Sequence, residues 1–283
     1  MGFLAASTSL DDIVLVNRTR NKAIGETLDI VNTIRDSSIT VIGTDDFAHI
    51  AGSDVIIITA SAGQIITSRE DLLPYNIPIA KEISKNIKKY ANNSKVIVVT
   101  NPVDVITYCI LKESGLPRKN VIGVGSSLDS SRFRYLLSKL LRTNHSKIAG
   151  MVLGEHGNSM VPIFSTAKFN GKPINLEKNQ IDQTTSELRN YWKPMQEFKG
   201  ASVFGAAKHS YDIAKAIINN EKLKVSSSVL VNGEFGLSDV CIGVPVIIDK
   251  NGASTIEEIN LDKSELKSLD TSAEIIKKNI KKI

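Results

Sequence analysis

His156 stands between glycines in Gly154-Glu155-His156-Gly157, and a proline follows at Pro162. An apolar run, Ile148 to Leu153, leads into it, so the segment reads as a loop at a strand end, where side chains face a cleft. Imidazole titrates near neutrality, which makes histidine the usual side chain for giving and taking a proton. Lone histidines are more often structural, and His49, His145 and His209, which lack this setting, read so. A second pair is Asp129 and Arg132 in Leu-Asp-Ser-Ser-Arg-Phe-Arg, residues 128–134. At three residues' spacing they share one helical face. The carboxylate can orient and charge-stabilise a histidine, and the guanidinium can grip a carboxylate with two parallel hydrogen bonds. Taken alone, the pair is equally what a surface ion pair near a helix start looks like. Asn101, in Thr-Asn-Pro-Val-Asp at 100–104, ends an apolar run; its amide can donate to a substrate oxygen, or the Asn-Pro can be a plain turn. Arg69 opens a helical stretch behind a loop of small and apolar residues. It can swing in and polarise a carbonyl, or stay solvated in the first turn.

Positioning such groups needs a scaffold, and the pattern provides one. Short β-branched runs at 13–16, 39–42, 55–59, 96–100 and 121–124 alternate with helical spacing at 70–91 and 105–114. Nearly unbroken apolar runs are expected of strands covered on both faces, and the alternation implies parallel βαβ units. Residues 1–124 therefore read as a doubly wound, Rossmann-type α/β domain. From 125 to 283 the character changes to a second, α+β domain. Helical stretches at 128–142, 178–197 and 203–220 alternate with antiparallel-looking strands, and Asn251-Gly252 marks a hairpin between 240 and 259. A last helix starts near Asp262. Ligands of such folds sit at the carboxyl ends of the parallel strands, where Thr59, Asn101 and the turn after residue 16 lie.

Composition limits the classes of function. The chain has 283 residues, 42% of them hydrophobic, and a net charge of +5 from 35 basic and 30 acidic side chains. The excess is spread out, without the basic stripe and interleaved aromatics of a nucleic-acid binder; small anionic substrates fit it equally well. Cys109 and Cys241 are far apart in apolar runs and read as buried thiols, not as a disulfide or a metal site. No apolar run reaches the ~18 residues of a membrane span, and the start lacks the basic leader of a signal peptide. A cytosolic protein without membrane partners is expected.

Each chemical signal is weak alone. Together and in order, Thr-Asn-Pro-Val-Asp at 100–104, Leu-Asp-Ser-Ser-Arg-Phe-Arg at 128–134 and Gly-Glu-His-Gly-Asn-Ser-Met-Val-Pro at 154–162 resemble the lactate/malate dehydrogenases, above all their archaeal malate dehydrogenase-like branch. The likeness runs along nearly the whole chain and takes in Lys-Gly-Ala-Ser-Val-Phe-Gly-Ala-Ala at 199–207 and Asp-Val-Cys-Ile-Gly-Val-Pro-Val at 239–246. It implies a nicotinamide-dependent oxidoreductase acting between a 2-oxoacid and a 2-hydroxyacid, in a homodimer or homotetramer. By the resemblance His156 is the proton donor and acceptor, and Asp129 is its partner. Arg132 binds the C1 carboxylate, Arg69 polarises the reacting carbonyl, Asn101 orients the substrate and Ser202 lines the pocket.

The chain also departs from that pattern. Met1-Gly2 is similar to the end of the family's glycine-rich pyrophosphate turn, with Gly2 at its last glycine, so the first strand and first two glycines are expected to be missing. Losing a central strand would leave its neighbours' edges unpaired. That loss also keeps open a rival from another class, a non-catalytic dehydrogenase-like protein. Where members using NAD carry an acid for the ribose hydroxyls, this chain has Asn17, Arg18 and Arg20, which favours NADP over NAD as cofactor. The loop at 60–68 holds Gln64 and no arginine, so malate, with its second carboxylate, and lactate both remain candidate substrates. Asn158 replaces the family's usual Asp, a change expected to matter little.

Overall fold

The computed structural model describes residue 2 and residues 12–34, 39–63 and 69–283, without the side chains of residues 69 and 70. Gly2 is helical and half-buried, and its missing Cβ leaves room for the Ile30 side chain.

β1 (Asp12–Val16), α1 (Arg20–Val31) and β2 (Thr40–Thr44) form one parallel unit, with Asp12 opposite Thr40 and Val16 opposite Thr44. β3 (Val55–Ile58), α2 (Leu73–Tyr90), β4 (Lys95–Val98), α3 (Val103–Ser114) and β5 (Val121–Gly123) continue the alternation, with β3, β4 and β5 parallel and adjacent. The strands come from the β-branched runs: Ile97 and Ile122 are fully buried between helices, as are Ile106 and Ile110 of α3. α3 begins behind Pro102, carries the acid Asp104 in its first turn, and stops at Gly115, whose φ of 73° suits glycine. Among the described residues, the parallel strands fall into two sheets, β2-β1 and β3-β4-β5, which share no ladder. Among the described residues, β1 pairs only with β2, and β3 only with β4.

α4 (Gly125–Leu140) leads to a three-stranded antiparallel sheet of β6 (Ile148–Leu153), β7 (Val161–Phe169) and β8 (Lys172–Pro173). α5 (Lys178–Asn190), α6 (Trp192–Lys199) and α7 (Phe204–Ile218) follow. The continuous helix expected over 178–197 is two helices meeting at Tyr191. Pro194 explains the break, because it has no N–H to return to the carbonyl of Asn190. β9 (Leu223–Asn232), β10 (Ser238–Asp249) and β11 (Gly252–Ile256) then rejoin the first sheet, giving the order β11-β10-β9-β5-β4-β3. The junction is one antiparallel register pair, Gly123 opposite Ser228. Strands from the two halves of the chain thus form a single mixed sheet, which the alternation alone did not indicate. α8 (Lys263–Ile280) closes the chain under a capping box of Asp262 and Glu265.

Among the described residues, two apolar clusters result. The larger one spans the mixed sheet, α3, α7 and α8. The smaller one packs Phe133 and Leu137 of α4 on Val152, Met160 and Leu188, with Phe164 edge-on to Phe133 at 5.0 Å.

Gly154 and Gly243 weld the antiparallel sheet to the mixed sheet. They exchange both backbone hydrogen bonds, at 2.9 and 3.0 Å. A Cβ on Gly243 would lie 2.7 Å from the Gly154 carbonyl oxygen and would also run into Ser126. Gly243→Ala is therefore expected to cost about 1–3 kcal/mol, the usual range for overpacking. The midpoint of urea unfolding reads this directly; an unchanged midpoint would mean that the two strands separate without cost.

Candidate functional site

The carboxyl ends of β4 and β5, the start of α4 and the loop after β6 converge on one point. The loop lands there because Gly154 adopts φ 82° and Gly125, at the start of α4, has no Cβ to meet the His156 side chain. His156 Nδ1 lies 2.5 Å from Asp129 Oδ2. Arg132 Nη1 donates to the other oxygen of the same carboxylate, Oδ1, at 3.2 Å. All three side chains are buried: 8% of His156, 1% of Asp129 and 7% of Arg132 is exposed. The sequence left a solvated surface pair open for Asp129 and Arg132; helix α4 instead turns both inward, since its face carries Phe133, Leu136 and Leu137 into the smaller core.

Around this centre the remaining polar groups lock the loop. His156 N donates to Asp104 Oδ2 at 2.8 Å. Glu155 takes the Ser159 hydroxyl at 2.5 Å, and its own N–H donates to Ser272 of α8 at 2.8 Å. Ser202, on the turn before α7, sits 3.5 Å from Arg132 Nη2, and the Tyr191 ring lies under that guanidinium at 5.4 Å. Asn101 is half-buried just past β4. Its carbonyl accepts from Asn76 Nδ2 at 2.7 Å, while its own Oδ1 is buried with no partner among the described residues. Thr100 ties the ends of β3 and β4 by donating to the Ala60 carbonyl at 2.8 Å.

Asp104 and Asn76 were not singled out from the sequence. An acid two residues after Asn-Pro reads as a helix-start residue, and a lone Asn in α2 reads as solvated. Both are buried instead. Asn76 also accepts from Ala62 N at 2.9 Å, so it joins the base of the 60–68 loop to the end of β4. Burial pushes the Asp104 carboxyl up to about 7, against the pull of Ser228 and the His156 amide. Burial likewise pushes His209 down to about 4, so it stays neutral and structural, and raises the free Cys109 and Cys241 thiols, leaving both inert.

The nucleotide-side candidates lie at the strand ends. Asn17, Arg18 and Arg20 are exposed directly after β1, where Asn17 Oδ1 accepts from Thr19 N at 2.9 Å and forms the turn into α1. Thr59 is exposed just past β3. An unsatisfied buried acceptor at Asn101 and exposed polar residues at the ends of β1 and β3 fit a site that would hold a dinucleotide. Gln64 and the Arg69 side chain lie outside the described residues; Arg69 itself begins a 3-10 turn leading into α2. No cluster of His, Cys, Asp or Glu among the described residues could hold a metal ion, and no helix among them is long and apolar enough to cross a membrane.

Comparison with known proteins decides the family. Residues 1–123 match the NAD binding domain of lactate/malate dehydrogenase, and residues 126–283 match its alpha/beta C-terminal domain. The chain belongs to the lactate/malate dehydrogenase family. It is 35% identical to the malate dehydrogenase of Staphylococcus carnosus, over 99% of this chain and 94% of that one. The Bacteroides fragilis malate dehydrogenase is also 35% identical, over 97% and 90%. Among solved structures, the lactate dehydrogenase of Cryptosporidium parvum, complexed with lactic acid and nicotinamide adenine dinucleotide, superposes with a TM-score of 0.95. It has 34% identity and covers 99% of this chain and 92% of that one. The malate dehydrogenase of Aeropyrum pernix superposes with a TM-score of 0.93 at 30% identity, covering 100% and 94%. The protein is thus an NAD-dependent dehydrogenase of the 2-hydroxyacid class, with a Rossmann-type first half and an α/β second half.

Removing one member of a buried ion pair strands the other. Asp129→Leu should lower the unfolding free energy at pH 7 by about 3–5 kcal/mol. Asp129→Leu combined with Arg132→Met should recover much of that loss in the same urea titration. An equal loss in both variants would assign the effect to packing rather than to the stranded charge.

Proposed function

We propose that the enzyme interconverts oxaloacetate and malate, with pyruvate and lactate as the next pair, and that His156 is its acid/base. The observation that carries this reading is the 2.5 Å contact of His156 Nδ1 with Asp129, whose second oxygen holds Arg132. Similarity to two malate dehydrogenases supports malate. Gln64, in a loop without arginine, pulls toward a less charged substrate.

The nicotinamide cofactor, when bound, supplies or accepts the hydride. The chain's own groups do the rest. Arg132 offers further N–H donors beyond those directed at Asp129 and Ser202, and these take the substrate's C1 carboxylate. Asn101 places its amide on a substrate oxygen, and Ser202 closes the pocket wall. With Nδ1 directed at Asp129, Nε2 is the atom that passes a proton to the carbonyl oxygen during reduction and recovers it during oxidation. Asp129 stabilises the imidazolium this creates. By resemblance Arg69 polarises the carbonyl, and Gln64 meets the far end of the substrate.

For the cofactor, Asn17, Arg18 and Arg20 supply positive charge and no carboxylate at the end of β1. This supports acceptance of a 2′-phosphate, hence NADP alongside NAD; Gly2, Thr59 and Asn101 are the remaining proposed contacts. We place the domain boundary at residues 124/125 and the protein in the cytoplasm. A homodimer or homotetramer is supported by exposed apolar faces. Ile24, Leu28 and Val31 form a stripe along α1, and Phe198 and Phe204 are 80% and 77% exposed around the start of α7.

His156→Ala should lower the turnover of oxaloacetate by about 10²–10⁴-fold while leaving NADH binding intact. Near-normal turnover of oxaloacetate and pyruvate by the variant would remove His156 from the mechanism. No turnover of either oxoacid by the unmodified protein would overturn the assignment of substrate. Asn17→Asp should shift the NADPH/NADH ratio of kcat/KM toward NADH; an unmodified enzyme that already rejects NADPH would contradict the phosphate reading.

A further inference from the structure

Asp129 fixes the His156 ring, but the ring can be no better placed than the backbone that carries it. That backbone crosses from β6 in a loop held by the Gly154–Gly243 pair, by Ser272, which accepts the Glu155 N–H at 2.8 Å, and by Asp104, whose Oδ2 accepts the N–H of His156 itself at 2.8 Å. Asp104 is on the first turn of α3, two residues after Pro102, and is 3% exposed. It is therefore bound to the turn that presents Asn101 and, through one hydrogen bond, to the residue that carries the proton. We propose that Asp104 is a positioning residue for proton transfer, fixing the main chain of His156 as Asp129 fixes its imidazole. The inference rests on the assignment of His156 as the acid/base.

Physical chemistry makes a carboxylate at this place an unlikely choice for packing alone. A buried charge without a cationic partner is unfavourable, and an amide or an apolar side chain would fill the space at less cost. Burial is the main cause that disfavours its ionised form, and the groups facing it pull in both directions. Asp129 on α4 and Glu155 on the loop both raise its pKa, while the Ser228 hydroxyl on β9 and the His156 amide lower it; Cys241 on β10 is also close, its thiol raised in turn by the Asp104 charge. Ser228 Oγ and Asp104 Oδ1 each lack a partner at hydrogen-bond geometry among the described residues, which leaves the His156 amide as the firm anchor. The carboxyl ends at about 7. Above that pH it holds His156 by a charge-assisted hydrogen bond, and below it a neutral oxygen accepts more weakly.

The sign of the stability effect separates positioning from fold maintenance. A carboxyl whose pKa is higher folded than unfolded adds to stability when protonated; that contribution fades as pH rises from about 4 to about 7. Asp104→Asn removes this burden above neutrality, so its melting temperature at pH 8 should be no lower than that of the parent. Its turnover should be lower all the same.

The test uses the full-length enzyme with oxaloacetate and NADH at pH 8. Asp104→Ala should lower kcat by about ten- to a hundredfold, the range expected of a small misplacement of a reacting group, with KM for the oxoacid unchanged. Asp104→Asn, which keeps an acceptor oxygen, should lose less and should flatten the pH dependence of kcat near 7. In a ¹⁵N-labelled sample without substrate or cofactor, the His156 amide proton should move upfield in Asp104→Asn as the charge-assisted bond is lost. If Asp104→Ala does not fold, the Asn variant and its amide shift decide. Parental kcat and an unmoved amide proton in Asp104→Asn would overturn the proposal, as would a kcat loss matched by a lower melting temperature at pH 8. His156→Ala run in parallel separates the two claims. If it keeps its turnover, the acid/base assignment fails; if it is inactive while Asp104→Asn is unimpaired, only the positioning role fails.

Discussion

The structure depends on one buried carboxylate serving two partners. Asp129 offers Oδ2 to His156 and Oδ1 to Arg132 where almost no water reaches. A bare carboxylate there would be costly; a guanidinium compensates its charge, and the imidazole takes the remaining oxygen. The same pairing separates the roles available to the other two groups. Arg132 has a guanidinium that can meet an anionic substrate, and His156 has one nitrogen committed to Asp129. The rest of the fold keeps these three in contact. α4 supplies Asp129 and Arg132 on one face, β6 delivers the loop, and glycines at 125, 154 and 243 let the segments approach closely enough.

That closeness explains why the two halves of the chain are not independent. The Gly154–Gly243 bridge links the small antiparallel sheet to the mixed sheet, and the Gly123–Ser228 pair links the parallel strands to β9. Asp104 belongs to the first half and His156 to the second, yet one hydrogen bond joins them. The candidate cofactor contacts after β3 and β4 and His156, the proposed proton-transfer group, therefore share one framework.

Much of this was legible in the sequence. Unbroken β-branched runs gave away β3, β4 and β5 because two-sided burial leaves no polar face. Asn251-Gly252 marked the β10–β11 hairpin. His156, Asp129, Arg132 and Asn101 could be nominated because each sat at a strand end or on a helix start in the right order. What escaped depends on contacts distant in sequence. Nothing local says that Ser228 will lie opposite Gly123 and carry the second half into the first sheet. Pro194 was visible, but whether it kinks a helix or begins a new one depends on its packing. Asp104 and Asn76 were hidden because a helix-start acid and a helical Asn usually face water, and only the surrounding elements bury them. Gln64 and the Arg69 side chain lie outside the described residues, so their substrate roles rest on resemblance.

The proposed mechanism requires Asp129 to hold the proton on Nδ1 of His156 and to direct Nε2 to the substrate. Nitrogen NMR of histidine-labelled enzyme tests it most directly, with the His156 signals assigned by their loss in His156→Ala. In the neutral ring a protonated, pyrrole-type Nδ1 and an unprotonated, pyridine-type Nε2 are expected, and Asp129→Asn should disturb this preference. A neutral ring carrying its proton on Nε2, unaffected by Asp129→Asn, would contradict it.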